Sequence, residues 1–178
     1  MAMEDYYNKR KALIEPTQMD MFIQQFLMKK QARESVKSNM EAKNFLEKNK
    51  SEKGVIVSPS GLQYIILKDG SGPTPRPFGT VSIAYRGSLI DGTVFDSTSV
   101  NRPAKFVCQR LIPGFIEALQ MMKTGSKWKI FISPELGYGA QQQQPGSLIK
   151  PNSALIFEVE MLKIIEGKEP SKVAPKKK

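Results

Sequence analysis

Apolar residues fall along this chain in two rhythms. Ahead of Gly54 the rhythm is helical: Met19, Phe22, Ile23, Phe26 and Leu27 recur at the spacing of one stripe. Beyond Met28 the stripe thins to Ala32, Val36, Met40 and the Phe45-Leu46 pair within a polar run. No proline or glycine interrupts 17–53. The pattern therefore predicts a helix over 17–50, roughly 50 Å long at 1.5 Å per residue. Its first half requires an apolar partner, and its second half is polar enough to stand in water. The plainer reading packs this helix on its own domain. The favoured one pairs it with a second copy through 17–30 and continues it as a stalk.

After Gly54 the period changes to two. Val55-Ile56-Val57 is a short extended run, and Ser58-Pro59-Ser60-Gly61 is a turn. Strands follow over 62–67, over 80–89 with Val81, Ile83 and Tyr85 on one face, over 94–97 after the Asp91-Gly92-Thr93 turn, and over 104–108. PGFIEALQMM is a short amphipathic helix carrying Phe115, Leu119 and Met122, ended at Lys123-Thr124-Gly125. Trp128, Ile130 and Ile132 alternate with polar residues until Ser133-Pro134. ALIFEVEMLKI, 154–164, is a central strand. A helix as short as the second cannot stand alone, so a sheet must cover it. The expected class is α+β: an antiparallel sheet wrapped around one short helix, preceded by a long N-terminal helix. The expected divisions are a helical dimerisation and stalk region over 1–57, a folded domain over 58–166 and a basic tail over 167–178. Gln141 to Gln144 reads as a flexible flap.

Composition narrows the chemistry by exclusion. The 178 residues contain no histidine and a single cysteine, Cys108. A His-based metal site, a Ser-His pair and an intrachain disulfide are excluded. The chain shows no P-loop, no glycine-rich dinucleotide motif and no paired acid–base spacing, and no metal or cofactor is expected. Neither an 18-residue apolar run nor a signal peptide is visible. The net charge of +10 is weighted to the tail, where Lys168, Lys172, Lys176, Lys177 and Lys178 cluster. Such a tail reads as solvated. Nucleic-acid binding is not expected, because aromatics are not interleaved with the basic residues.

What remains is a set of apolar residues close to turns: Tyr85, Phe95, Phe106, Leu111, Ile112, Phe115, Tyr138, Ile149 and Phe157, with the carboxylate of Asp96 beside Phe95. Singly, each is ordinary core. As a set, in order, they carry a resemblance. SPSGLQY (58–64), AYRGSLIDGTVFDS (84–97), KFVCQRLIPGFIEAL (105–119), MKTGSKWKIFISPELGYG (122–139) and PNSALIFEVEML (151–162) closely resemble the FKBP-type peptidyl-prolyl isomerases. The helical lead ending NFLEKNKSEKGVIV is similar to the Mip/FkpA branch of bacterial cell-envelope isomerases.

The resemblance implies a proline pocket and rotation of X-Pro bonds in folding proteins. It makes Asp96, Tyr138, Ile112 and Phe95 the catalytic positions. Tyr85, Phe106, Leu111, Phe115, Ile149 and Phe157 become the substrate-binding ones. In this reading the Ile112 N–H and the Tyr138 hydroxyl each hold a substrate carbonyl, and Asp96 orients the pocket. Phe115 stands at a floor position that is often Trp in the family, and Ala104 stands where an aromatic is common. The implied partners are unfolded chains with X-Pro bonds, macrolides of the rapamycin type and a second copy of the chain. The implied location is the cell envelope, periplasmic or outer-membrane associated, with the export signal absent from this chain; the alternative is cytoplasmic. A non-catalytic chaperone or binding module on the same fold is the competing function. Removing 1–53 is expected to leave short-peptide isomerisation nearly unchanged.

Overall fold

The computed structural model describes residues 16–141 and 146–165. The expected basic tail and most of the four-Gln flap lie outside the described residues. The chain divides into two compact units, Met1–Glu34 and Ser35–Lys178. The first long helix, α1, spans Pro16–Asn49, within a residue of its expected ends. In the first unit its side chains from Met19 to Met28 are exposed, the large apolar ones included.

The second unit holds a seven-stranded antiparallel sheet. Its strands are β1 (Ile56–Val57), β2 (Gln63–Lys68), β3 (Thr80–Leu89), β4 (Val94–Ser97), β5 (Ala104–Val107), β6 (Lys127–Ile132) and β7 (Leu155–Ile165), in the order β1-β2-β6-β7-β3-β4. β3 pairs with β7 along its whole length. Its other edge is shared: Thr80 to Ile83 pair with β5, and Arg86 to Ser88 with β4. The register with β7 shifts between Ser82 and Ile83, a bulge that adds local twist within the stretch paired with β5. The expected strand at 104–108 ends one residue early, and Cys108 opens a short 3-10 turn, Cys108–Arg110.

The short helix α2, Pro113–Met121, lies on one face of this sheet. Phe115, Ala118 and Leu119 of α2, with Met122 just beyond it, join Val81, Ile83, Ile130, Ile132, Leu155, Val159 and Met161 in one core. Period two puts these strand residues inward, and helical spacing puts the α2 residues against them. Each large side chain so buried contributes about 1.5–3 kcal/mol. Gly114 lets α2 sit close, since a Cβ there would stand 2.9 Å from Ile132 Cγ2.

The second half of α1 does not stand in water. Within the second unit, Ser38, Ala42 and Asn49 are buried, and Phe45 packs on Phe131 with ring centroids 6.0 Å apart. Phe131 is the reason. It occupies the face of β6 that Lys127 and Lys129 also carry, and so makes an apolar spot on the back of the sheet. A buried polar latch completes the contact. Asn49 Nδ2 donates to Gln63 Oε1 at 2.8 Å, and Gln63 Nε2 donates at 2.9 Å to the Leu46 carbonyl, which also accepts from the Lys50 N–H at the end of the helix. Of the thin stripe read from the sequence, Phe45 and Leu46 are half-buried while Ala32, Val36 and Met40 are exposed; the buried positions are Ser38, Ala42 and Asn49. Among the described residues no helix is long and apolar enough to cross a membrane.

Candidate active site

Between the N-terminus of α2 and the β3–β4 side of the sheet lies a cavity of about 810 Å³. Strand alternation brings Tyr85 of β3, Phe106 of β5 and Phe157 of β7 to its walls. Phe95 and Asp96 come from β4, Leu111 and Ile112 from the entry to α2, and Phe115 from the first turn of α2. Tyr138 comes from the loop beyond the 3-10 turn Pro134–Leu136. That loop is tightly held. Ser133 Oγ accepts from the Leu136 N–H, the Gly139 N–H donates to Pro134 O at 2.8 Å, and the Asn152 N–H donates to Gly139 O at 2.7 Å.

The rings meet mostly edge to face, the arrangement their quadrupoles favour. Phe115 and Phe157 stand 4.9 Å apart at 86°, and Phe95 and Phe157 stand 5.5 Å apart at 84°. Tyr85 lies 5.8 Å from Phe106 and 6.3 Å from Phe115. These pairs fix one another, so the wall is a preformed surface. Gly87 makes room for it. A Cβ there would lie 2.6 Å from Phe95 Cε2 and 2.8 Å from Phe157 Cε1. A glycine inside a strand marks such a close approach.

Polar groups in the cavity are few and differ in state. The Tyr85 hydroxyl donates a short hydrogen bond to Asp96 Oδ2. Burial, then that bond, pushes the Tyr85 phenol well above its usual range. Burial and the charge of Asp96 also push the Tyr138 phenol up. The Tyr138 hydroxyl makes no hydrogen bond among the described residues, and neither does the Ile112 N–H at the N-cap of α2. The site therefore offers two unused donors on an apolar, aromatic wall. It can bind a chain with two carbonyls and an apolar ring between them. It has no nucleophile paired with a base.

Of the expected site residues, nine line this cavity: Tyr85, Phe95, Asp96, Phe106, Leu111, Ile112, Phe115, Tyr138 and Phe157. Ile149 does not line it; it is half-buried and packs against the core cluster. The lining also includes Arg110, Pro113, Glu135, Gly137, Gly139, Ala140 and Gln141, which pattern reading passed over. Apolar clustering cannot find charged rim residues, since they carry no periodic signal. Gly87 had a signal, as a lone glycine amid an alternating strand.

Comparison with known proteins finds matching families, relatives and solved structures. The family model described as FKBP-type peptidyl-prolyl cis-trans isomerase matches residues 72–162. A second, described as the domain amino terminal to FKBP-type peptidyl-prolyl isomerase, matches residues 1–66. The chain is 38% identical over 170 residues to the outer membrane protein MIP of Legionella longbeachae, covering 91% of this chain and 72% of that protein. It is 44% identical over 126 residues to the FKBP-type 22 kDa peptidyl-prolyl cis-trans isomerase of Escherichia coli K12, covering 70% of this chain and 60% of that one. The crystal structure of FkpA from Escherichia coli superposes with a TM-score of 0.76 at 33% identity, covering 92% of this chain and 78% of that chain.

Proposed function

The chain belongs to the FKBP-type peptidyl-prolyl cis-trans isomerases, and from that premise we propose that the aromatic cavity is where it turns X-Pro bonds in folding proteins. Two unused donors on an apolar wall, the Ile112 N–H and the Tyr138 hydroxyl, carry this reading.

A planar amide resists rotation by about 18–20 kcal/mol because its C–N bond is partly double. For X-Pro the two isomers differ by only about 0.5–1 kcal/mol, so a large barrier separates nearly equal states. Resonance places negative charge on the amide oxygen, and water stabilises that form. In a cavity walled by Tyr85, Phe106, Phe115 and Phe157 the planar, charge-separated form loses solvation. The twisted amide, with less charge separation, loses less. That difference between transition state and ground state lowers the barrier without a covalent step. Every ~1.4 kcal/mol is tenfold in rate. The Ile112 N–H and the Tyr138 hydroxyl grip carbonyls on the two sides of the turning bond. Asp96 holds Tyr85 in the wall by accepting its hydroxyl.

The exposed stripe Met19, Phe22, Ile23, Phe26 and Leu27 supports a second part of the reading, that the chain pairs with another copy through 17–30. Two cavities in one dimer bind an unfolded client at two points, which raises avidity without new contacts and serves a chaperone role. Macrolides of the rapamycin type fill the same apolar cavity. By likeness to an outer membrane protein, the work belongs in the bacterial cell envelope.

The deciding experiment is NMR exchange on a Leu-Pro peptide with and without the protein. Acceleration that rapamycin abolishes is the expected result. No acceleration by folded protein overturns the reading.

A further inference from the structure

Two charged side chains stand in the lining of the cavity, and the chemistry above does not use them. Arg110 ends the 3-10 turn between β5 and α2; Glu135 lies in the 3-10 turn between β6 and Tyr138. Both are exposed, and neither makes an ion pair or hydrogen bond through its side chain among the described residues. The remaining carboxylate, Asp96, is engaged by Tyr85.

Their positions in the chain separate them. Arg110 is two residues ahead of Ile112, and Glu135 three ahead of Tyr138. If those two donors hold carbonyls on opposite sides of the proline, each charge is tethered near a different end of the bound peptide. This step rests on the isomerase reading of the site. We infer that Arg110 and Glu135 form a charge pair across the rim that selects substrates by the order of charge around X-Pro. Arg110 takes an acidic residue at one end, and Glu135 takes a basic residue at the other. The substrate class is thus a segment with opposite charges flanking an apolar X-Pro, in one direction and not the reverse.

The size of the effect follows from the setting. Exposed charges act through water and are screened, so each contributes modestly. Complementary charge mainly raises the encounter rate and sets register. The effect belongs in kcat/KM at sub-saturating peptide, with kcat little changed. Reversing the charge order of a peptide turns two attractions into two repulsions, and a difference of about 3- to 10-fold is expected.

The test uses the full chain and three blocked peptides of equal length: Glu-Ala-Leu-Pro-Ala-Lys, Lys-Ala-Leu-Pro-Ala-Glu and Gln-Ala-Leu-Pro-Ala-Gln. The first two have the same composition and net charge, so only order differs. The native protein should prefer one of them, and the ratio should fall toward one at about 1 M salt, where the screening length is about 3 Å. The double variant Arg110→Glu with Glu135→Arg should invert the ratio. Equal rates on the two charged peptides overturn the inference, as does a ratio that survives high salt or that the double variant leaves in the same direction. The salt series on native protein decides even where the variant does not fold. The neutral peptide keeps the two readings apart. If it is accelerated and the charged pair is not distinguished, only the charge selection fails. If it is not accelerated, the isomerase site itself fails and takes the inference with it.

Discussion

Two apolar surfaces of this protein meet solvent, and they are built from opposite materials. The cavity is walled by rings that hold one another edge to face, with Tyr85 pinned by Asp96. The stripe on the first unit's helix is Met19, Phe22, Ile23, Phe26 and Leu27, each between 42% and 61% exposed. Rings carry two torsions and keep their shape, so they suit a site that must fit one twisted geometry. Methionine is unbranched and soft, and fills whatever irregular surface meets it. An exposed apolar stripe of that kind is the surface that the proposed second copy would cover. One surface is held in shape by its own rings; the other, in the proposed dimer, would take its shape from the second copy.

The contrast breaks most severely at Gly87. Gly87→Val would push side-chain atoms into Phe95 and Phe157, where even a Cβ has no room. The wall must move by about an ångström, and misplacement of that order costs about 100-fold in rate. Overpacking adds about 1–3 kcal/mol of instability. We expect isomerisation of a Leu-Pro peptide to fall by about 100-fold and rapamycin binding to be lost, with the far-UV circular dichroism retained. Native activity in a folded Gly87→Val protein would show that the ring geometry is not what matters.

Next in size are the polar groups set in that wall. Tyr138→Phe keeps the ring and removes one donor, worth about 1–1.5 kcal/mol, so roughly a tenfold loss of kcat/KM is expected. Asp96→Leu releases the Tyr85 hydroxyl and should cost a similar factor, with thermal stability nearly kept because Asp96 is exposed. Melting curves alongside the peptide assay separate these from unfolding. If both variants retain full rates, the polar half of the site is misassigned.

The reach of sequence reading follows the same division. Elements with strong periodicity were legible: α1, β3 and β7 fall within a residue or two of their expected ends. Nine cavity residues were legible because the order of their motifs resembles a known family. Three things were not. Phe45 belonged to the thin stripe, but Phe131 departs from the polar alternation of β6 on the back face, so the partner it docks on had no periodic signal. The Asn49–Gln63 latch joins polar residues that, read along the chain, look solvated. Ile149 belongs to the expected pocket set, yet it packs against the core cluster without lining the cavity. Each depends on a contact between distant segments, which spacing along the chain does not encode.

A smaller effect on chemistry is expected at the stripe. A cut after residue 53 would take Phe45 from Phe131 and Asn49 from Gln63, so it no longer tests the stripe alone. Point changes do. Phe22→Glu with Phe26→Glu places charge on the stripe and leaves the second unit intact. We expect the Leu-Pro peptide rate to stay within about twofold, as for exposed substitutions away from a site. Light scattering should change from dimer to monomer at tens of micromolar, and refolding of a whole protein client should slow. A native chain that scatters as a monomer at that concentration removes the second copy as the stripe's partner.

The smallest effect is that of pH, and it sharpens the view of the cavity as a shape with donors. The chain has no histidine, so no imidazole titrates near neutrality. Burial holds the Cys108 thiol above its usual range, leaving it neutral there as well. In the proposed mechanism the Tyr138 hydroxyl must remain protonated to grip a carbonyl. Its pKa is raised, first by burial and then by Asp96, above the ordinary phenol value of about 10. A phenol whose folded pKa exceeds its unfolded value contributes stability that is complete below about pH 10 and is lost as pH rises through the folded value. Tyr85 has the same sign. Isomerisation should therefore be flat from about pH 6 to about pH 9 and fall only on the alkaline side, where the fold weakens too. Tyr138→Phe, having no proton to lose at that position, should show a shallower alkaline fall from its lower plateau. A bell-shaped profile centred near pH 7 would require a titrating acid and base in the cavity, and its walls would no longer suffice as the account of its rate.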